Sequence, residues 1–282
     1  MRIFGNYIWL CIIIVISLMG ITGCGTDIRE EIDGLFSEVT ETVEFTPYLK
    51  TLTKSADTHT YVYDSLHMEV CDWVEDSVGN NTTKASPMML LEGKLGITMF
   101  AFDEWSDTAT SLASSTNAEY TFDGNTLNGQ KLRWSNVKDK SNLRVYAYAP
   151  YVKIDKSVIT GVPTLSYTIN SDVEEQEDII AAVKEVNITD NAGARIPLEF
   201  KHILTGIKFR TGFGCTVNSI KVVGVSGSGQ YSIGGSWDNL SESNAEYNIE
   251  FTKPKELLAG TMITNNNTTL MLIPKLWGTM PK

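Results

Sequence analysis

Apolar and polar residues alternate along most of this chain with a period of two, the spacing of strands rather than helices. The clearest run is Ile196 to Phe209. Leu198, Phe200 and Leu204 alternate there with Glu199, Lys201 and Ile203, and the beat restarts after Gly206 on Ile207 and Phe209. Pro197 stands near the start, where a strand tolerates proline. Gly206 falls where a bulge or bend fits. The polar stretch from Asn187 to Gly193 reads as a boundary. The run is therefore expected to open a second domain.

The same beat recurs before and after it. Val39, Glu41, Val43 and Phe45 alternate toward Pro47, and Tyr61 to Val74 alternates with Leu66, Met68 and Val70 on one side. Leu95 to Ala101, Leu143 to Ala149 and Thr164 to Ile169 are further strands. Asp123-Gly124 and Asn128-Gly129, flanked by Tyr120/Phe122 and Leu132/Trp134, predict consecutive hairpins. Later strands are Thr216–Val225, Tyr231–Ile233, Tyr247–Phe251 and Thr269–Ile273. Many short strands separated by turn signals predict β-sandwiches. Asp103 to Ala118, rich in Ser, Thr and Asp, is a long surface loop.

Two stretches carry helical spacing. Asp27 to Thr42 places Ile28, Ile32, Leu35, Phe36 and Val39 on one side, with Asp27 and Glu30 as a capping box; a loose tether is the alternative. Ser171 or Asp172 caps a second stretch, where Ile179, Ile180, Val183 and Val186 line one face. Its Glu174, Glu175 and Glu177 suit a helix N-terminus and read as a solvated connector, not a metal site.

The N-terminus changes the picture most. Arg2 is the only charge in the first 23 residues, and an apolar run from Tyr7 to Met19 precedes Ile21-Thr22-Gly23-Cys24. A basic start, a short apolar core and small residues before a cut describe an export signal. The run is short for a membrane span, which takes about 20 apolar residues. Residues 1–23 are thus assigned as a signal peptide. The chain of 282 residues then has room for two domains, 24–190 (with 24–38 as a tether) and 191–282. A net charge of -11, with the basic residues scattered, argues against nucleic acid as a partner.

Little chemistry follows. Four cysteines reduce to Cys71 and Cys215 once Cys11 and Cys24 are set aside, and buried free thiols are the expected state. Neither CxxC nor HExxH is present, and no metal or cofactor is expected. Gly224 to Ser228 misses the nucleophile-elbow pattern and reads as a flexible hairpin. His202 shares the phase of Phe200 and Leu204, which marks a packed, hydrogen-bonded histidine. Asp103/Glu104 form an ordinary loop pair. Trp105 and Trp237 bear on a carbohydrate-binding reading only if they form an exposed platform. No catalytic constellation emerges, and the chain is not read as an enzyme.

Ile21 to Cys24 resembles the lipobox of bacterial lipoproteins, which implies lipid on Cys24. Further segments extend the likeness: Thr83-Lys84-Ala85, Gly96 to Phe102, Val145 to Tyr151, Asp178 to Ala182, Leu198 to Leu204 and Leu272-Ile273-Pro274. Together they resemble the fimbrillin family of Bacteroidales, the Mfa-like lipoprotein subunits of type V pili. The resemblance implies an all-β chain of two tandem transthyretin-like β-sandwich domains. It implies lipid anchoring at the outer membrane, and assembly with other pilus subunits by β-strand addition. A host or bacterial surface receptor is an expected partner. In many members a protease cuts after Arg or Lys and removes the first strand, here Val39 to Thr46; the candidate cuts are Lys50, Lys54 and Lys84. The chain stops eight residues after Pro274, short of the strands that usually follow. It is expected either to be truncated or to accept a strand without donating one, as a tip subunit would. The alternative reading is a carbohydrate-binding surface lipoprotein. Asp64-Ser65-Leu66, Asp76-Ser77-Val78 and Asp107-Thr108-Ala109 each resemble an O-glycosylation acceptor of the same bacteria.

Overall fold

The computed structural model describes residues 41–49, 58–63, 66–71, 93–124, 126–153, 158–259, 263 and 269–274. All of these belong to one compact unit, Thr40–Lys282. The unit is built of strands, with one short α-helix among the described residues. Its largest sheet has seven: β1 (Glu44–Leu49), β4 (Gly93–Phe102), β5 (Ala118–Phe122), β6 (Leu127–Gly129), β7 (Asn142–Ala149), β9 (Ile180–Asn187) and β10 (Arg195–His202). Their order is β1-β10-β9-β7-β4-β5-β6. A second sheet of four joins β2 (Thr58–Tyr63), β3 (Leu66–Cys71), β11 (Thr205–Thr211) and β16 (Leu270–Leu272). A long two-stranded ribbon pairs β12 (Cys215–Val225) with β15 (Ala245–Leu257). The last sheet holds β8 (Thr164–Thr168), β13 (Ser228–Ser232) and β14 (Trp237–Asp238).

The seven-stranded sheet curls until its edges meet. Residues just before β1 bond to residues just after β6: Val43 N–H donates to Leu132 O at 2.7 Å, and Trp134 N–H to Glu41 O at 3.3 Å. One core fills the curl, with Leu95, Ile97, Leu143, Val145, Ile196, Leu198 and Phe200 fully or almost fully buried. The opposite face of the same sheet presents Phe100, Tyr146 and Ala181 to a second core that includes Phe209, Leu270 and Met271. A sheet covered on both faces needs apolar residues at consecutive positions. That is why Leu95 to Phe100 and Val145 to Ala149 depart from strict alternation and are buried throughout.

The stretch 196–209, expected to open a second domain, is divided between two sheets. Its first half is β10, registered with β1 on one side and β9 on the other. The chain then crosses at Ile203-Leu204, and its second half, β11, pairs with β3 and β16. The run 61–74 likewise divides, into the hairpin β2–β3.

The connector read as a helix is corrected. Asp172 does cap it, accepting from Glu174 N–H at 3.0 Å, but only the 3-10 turn Val173–Glu175 follows. Ile180–Asn187 is a strand in register with all of β7. Its spacing fits a helix face, yet β-branched residues beside an open strand edge gain more from pairing and two-sided burial. The short helix lies further on, at Ile188–Asn191, where Asn187 accepts from Asp190 N–H at 3.1 Å.

Two turn assignments also separate. Asp123-Gly124 is a turn: Gly124 has φ +92°, and Asp123 Oδ1 accepts from Thr126 N–H at 2.7 Å. Asn128-Gly129 instead lies within β6, and Trp134 starts a 3-10 turn rather than flanking a second hairpin. Gly129 is glycine because a Cβ there would lie 2.4 Å from the Tyr120 ring.

Candidate functional site

β1 differs from the rest of its sheet. It is an edge strand held by one ladder, to β10, and that ladder is parallel where every other pairing in the sheet is antiparallel. The register runs from Glu44↔Arg195 to Leu49↔Phe200. The strand was expected over Val39–Thr46; the observed one starts later and passes through Pro47 to Leu49. An edge strand accommodates that proline, since one side of its backbone has no ladder to supply.

Alternation sets what each face of β1 does. Val43 and Phe45 point into the first core, at 6% and 8% exposure, and Pro47 is buried after them. Phe45 meets Tyr120 edge to face, with ring centroids 6.0 Å apart and planes at 80°. On the outer face two polar pairs repeat the register. Glu44 accepts from Arg195 Nε at 3.1 Å, and Tyr48 donates its phenol proton to Glu199 at 3.3 Å. These outer partners escape sequence reasoning because each lies 151 residues from its mate. Trp134, 6% exposed, stands beside the entry to β1; its indole N–H is buried and meets no acceptor among the described residues.

The site is therefore the seat of an edge strand. If β1 leaves, the seam from Leu132 to Trp134 and one edge of β10 lose their partners, and the core loses Val43, Phe45 and Pro47. An unpaired edge is a template for another extended chain.

Cys24, Lys50, Lys54 and Lys84 all lie outside the described residues, as do most of two of the three Asp-Ser/Thr triplets. Thr108, in the third, is exposed and hydrogen-bonds Ser106 at 2.8 Å. Cys215 is a half-buried free thiol.

The remaining chemistry-bearing residues serve packing. His202 Nδ1 lies 2.5 Å from Asp178 Oδ2, both side chains almost wholly buried where the chain crosses between sheets. Asp103 accepts from Lys140 Nζ at 2.8 Å and from Ser141; the lysine holds its carboxyl below the usual range. Trp105 is half-buried, with the Arg144 guanidinium 3.8 Å above its ring and Phe100 and Phe102 at its edges. Trp237 is half-buried too; its indole donates to Ile203 O at 2.8 Å and its ring leans on Tyr231. Neither residue offers an exposed platform. Among the described residues there is no His/Cys/Asp/Glu group able to hold a metal, and no helix long and apolar enough to cross a membrane.

Residues 81–279, well over half of the chain, match the family model described as fimbrillin-like. Among solved structures the chain is similar to a crystal structure from Bacteroides ovatus named for cell adhesion. The TM-score is 0.41 at 16% identity, over 68% of this chain and 71% of that one. No curated protein matches significantly. By its family match, this chain belongs to the fimbrillin-like family.

Proposed function

We propose that the protein is a structural or adhesive subunit of a cell-surface fimbria, joined to its neighbours by exchange of an extended strand. The observation that carries this reading is the seat of β1. One parallel ladder at a sheet edge holds it, while its inward side chains complete a core. Its departure leaves what a strand from another subunit needs: backbone partners along β10 and apolar recesses at every second position. Until then β1 covers an edge that would otherwise invite unwanted pairing.

The export signal and lipobox add an anchor. Lipid on Cys24 tethers the precursor to the outer membrane, where more than one acyl chain gives durable attachment. A cut after Lys50 or Lys54 then frees β1 alone, and one after Lys84 frees it together with β2 and β3; Lys50 directly follows the strand.

N-terminal sequencing of subunits taken from assembled fibres tests the scheme. The expected N-terminus lies just after one of those lysines. An intact Cys24 end on every copy contradicts it and favours an uncut lipoprotein.

A further inference from the structure

We propose that the cleft where β9 and β10 part is a binding site for a short saccharide. The two strands are registered only at Lys201↔Ala181 and His202↔Ile180. Beyond those pairs the ladder between them records no others among the described residues. Where pairing stops, a cavity of about 550 Å³ opens on the outer face of the sheet. That volume lies within the range of small-molecule sites, roughly 300–1,000 Å³.

The cleft has a floor, two walls and a closing turn. Ala181 and Val183 of β9 and Pro197 of β10 form an apolar floor. Tyr48 of β1 stands on one side and Tyr231 of β13 on another. The turn after β13 closes down on the floor: Gly234 has φ +82°, and a Cβ there would lie 2.5 Å from Val183 Cγ2. Two half-buried tyrosines therefore border one recess with an apolar base. Aromatic walls with a few convergent polar groups suit a ring that has apolar C–H faces and polar edges.

The polar groups supply both acceptors and donors for hydroxyls. Glu199 is steadied by Tyr48 O–H on Oε2 at 3.3 Å and by Lys201 Nζ 3.5 Å from Oε1. A carboxylate accepts at about four lone-pair sites, so these contacts leave room for ligand hydroxyls. Lys201, its side chain 62% exposed, adds a donor beside it. Lys184 of β9 lines the cleft as well, so two ammonium groups face one carboxylate, and the balance disfavours cationic ligands. Neither Trp105 nor Trp237 lines the cleft, so the site differs from the aromatic set that the sequence alone suggests. Tyr48 lies on β1, so the cleft is complete only while β1 keeps its seat.

The test is an array of immobilised neutral and sialylated glycans probed with the labelled full chain, with hits measured by titration calorimetry. Members of both sets are expected to bind. Glu199→Gln is expected to weaken binding about tenfold. Tyr48→Phe and Lys201→Ala should weaken it several-fold, while Trp105→Phe leaves it unchanged. Circular dichroism establishes that each variant is folded. Two results would overturn the proposal: no glycan binds, or binding is indifferent to the Glu199, Tyr48 and Lys201 changes.

Discussion

Replacing Phe45 with alanine probes the seat of β1 at its deepest point. The ring is 8% exposed and packs edge to face on Tyr120. Truncating a buried phenylalanine costs about 3–5 kcal/mol, from lost transfer energy and the cavity left behind. The aromatic pair accounts for about 0.5–1.5 kcal/mol of that. An edge strand relaxes more freely than a central one, so we expect a loss near the low end, about 3 kcal/mol. Tyr48→Phe, which removes one hydrogen bond at the half-exposed outer face, should cost about 0.5–1.5 kcal/mol. Guanidinium unfolding measures both losses, and amide exchange over residues 44–49 locates them. Phe45→Ala should speed exchange in β1 more than in β4 or β7. A loss below about 1 kcal/mol, or unchanged exchange in β1, would refute the view that inward side chains hold the strand in place.

Other sites give independent checks. Gly96→Ala places a Cβ 2.3 Å from the Tyr148 ring and 2.9 Å from Asn117 Oδ1, which should cost about 1–3 kcal/mol and lower the melting temperature measurably. Burial pushes the phenols of Tyr120 and Tyr167 from 10.0 up to about 12. The unfolded chain releases those protons near pH 10 while the folded chain keeps them. Stability should therefore be intact below pH 10 and fall as pH rises from 10 toward 12; absorbance titration should show late-titrating tyrosines, since burial raises Tyr148, Tyr231 and Tyr247 as well, and a stability flat across that window would contradict the burial. Arg144→Ala uncovers the Trp105 ring, so tryptophan emission should shift to the red with a loss of about 1–2 kcal/mol. Asp178→Asn breaks a buried pair and should cost about 3 kcal/mol in the same unfolding assay.

Much of the fold is legible in the chain because burial is periodic. β4, β7, β12 and both halves of 196–209 follow from alternation or from apolar runs. The errors have physical causes. Ile179, Ile180, Val183 and Val186 satisfy a helix and a strand equally well by spacing, and only the neighbouring edge of β7 decides between them. Asn128-Gly129 has turn chemistry, but its glycine serves the Tyr120 ring. The sheet exchange at Ile203-Leu204 shows only as a shift of phase, from Leu198 and Phe200 to Ile207 and Phe209, which a bend within one strand would also give. The site is the least legible part. Phe45 stands out by pattern, but the parallel pairing of β1 with a strand 151 residues away has no local signature. Nor does the parting of β9 and β10, which depends on their register alone.

The central claim is that β1 must leave its seat before subunits join. Thr46 and Pro197 are register partners in the β1–β10 ladder, which makes them a site for a cystine lock. Thr46→Cys/Pro197→Cys, in a chain whose Cys71 and Cys215 are alanine, fixes β1 to β10 when oxidised and frees it when reduced. Electron microscopy of cells or of purified, processed protein then counts fibres in the two states. We predict fibres that incorporate the reduced subunit and exclude the oxidised one. Equal incorporation of both would contradict strand exchange at β1.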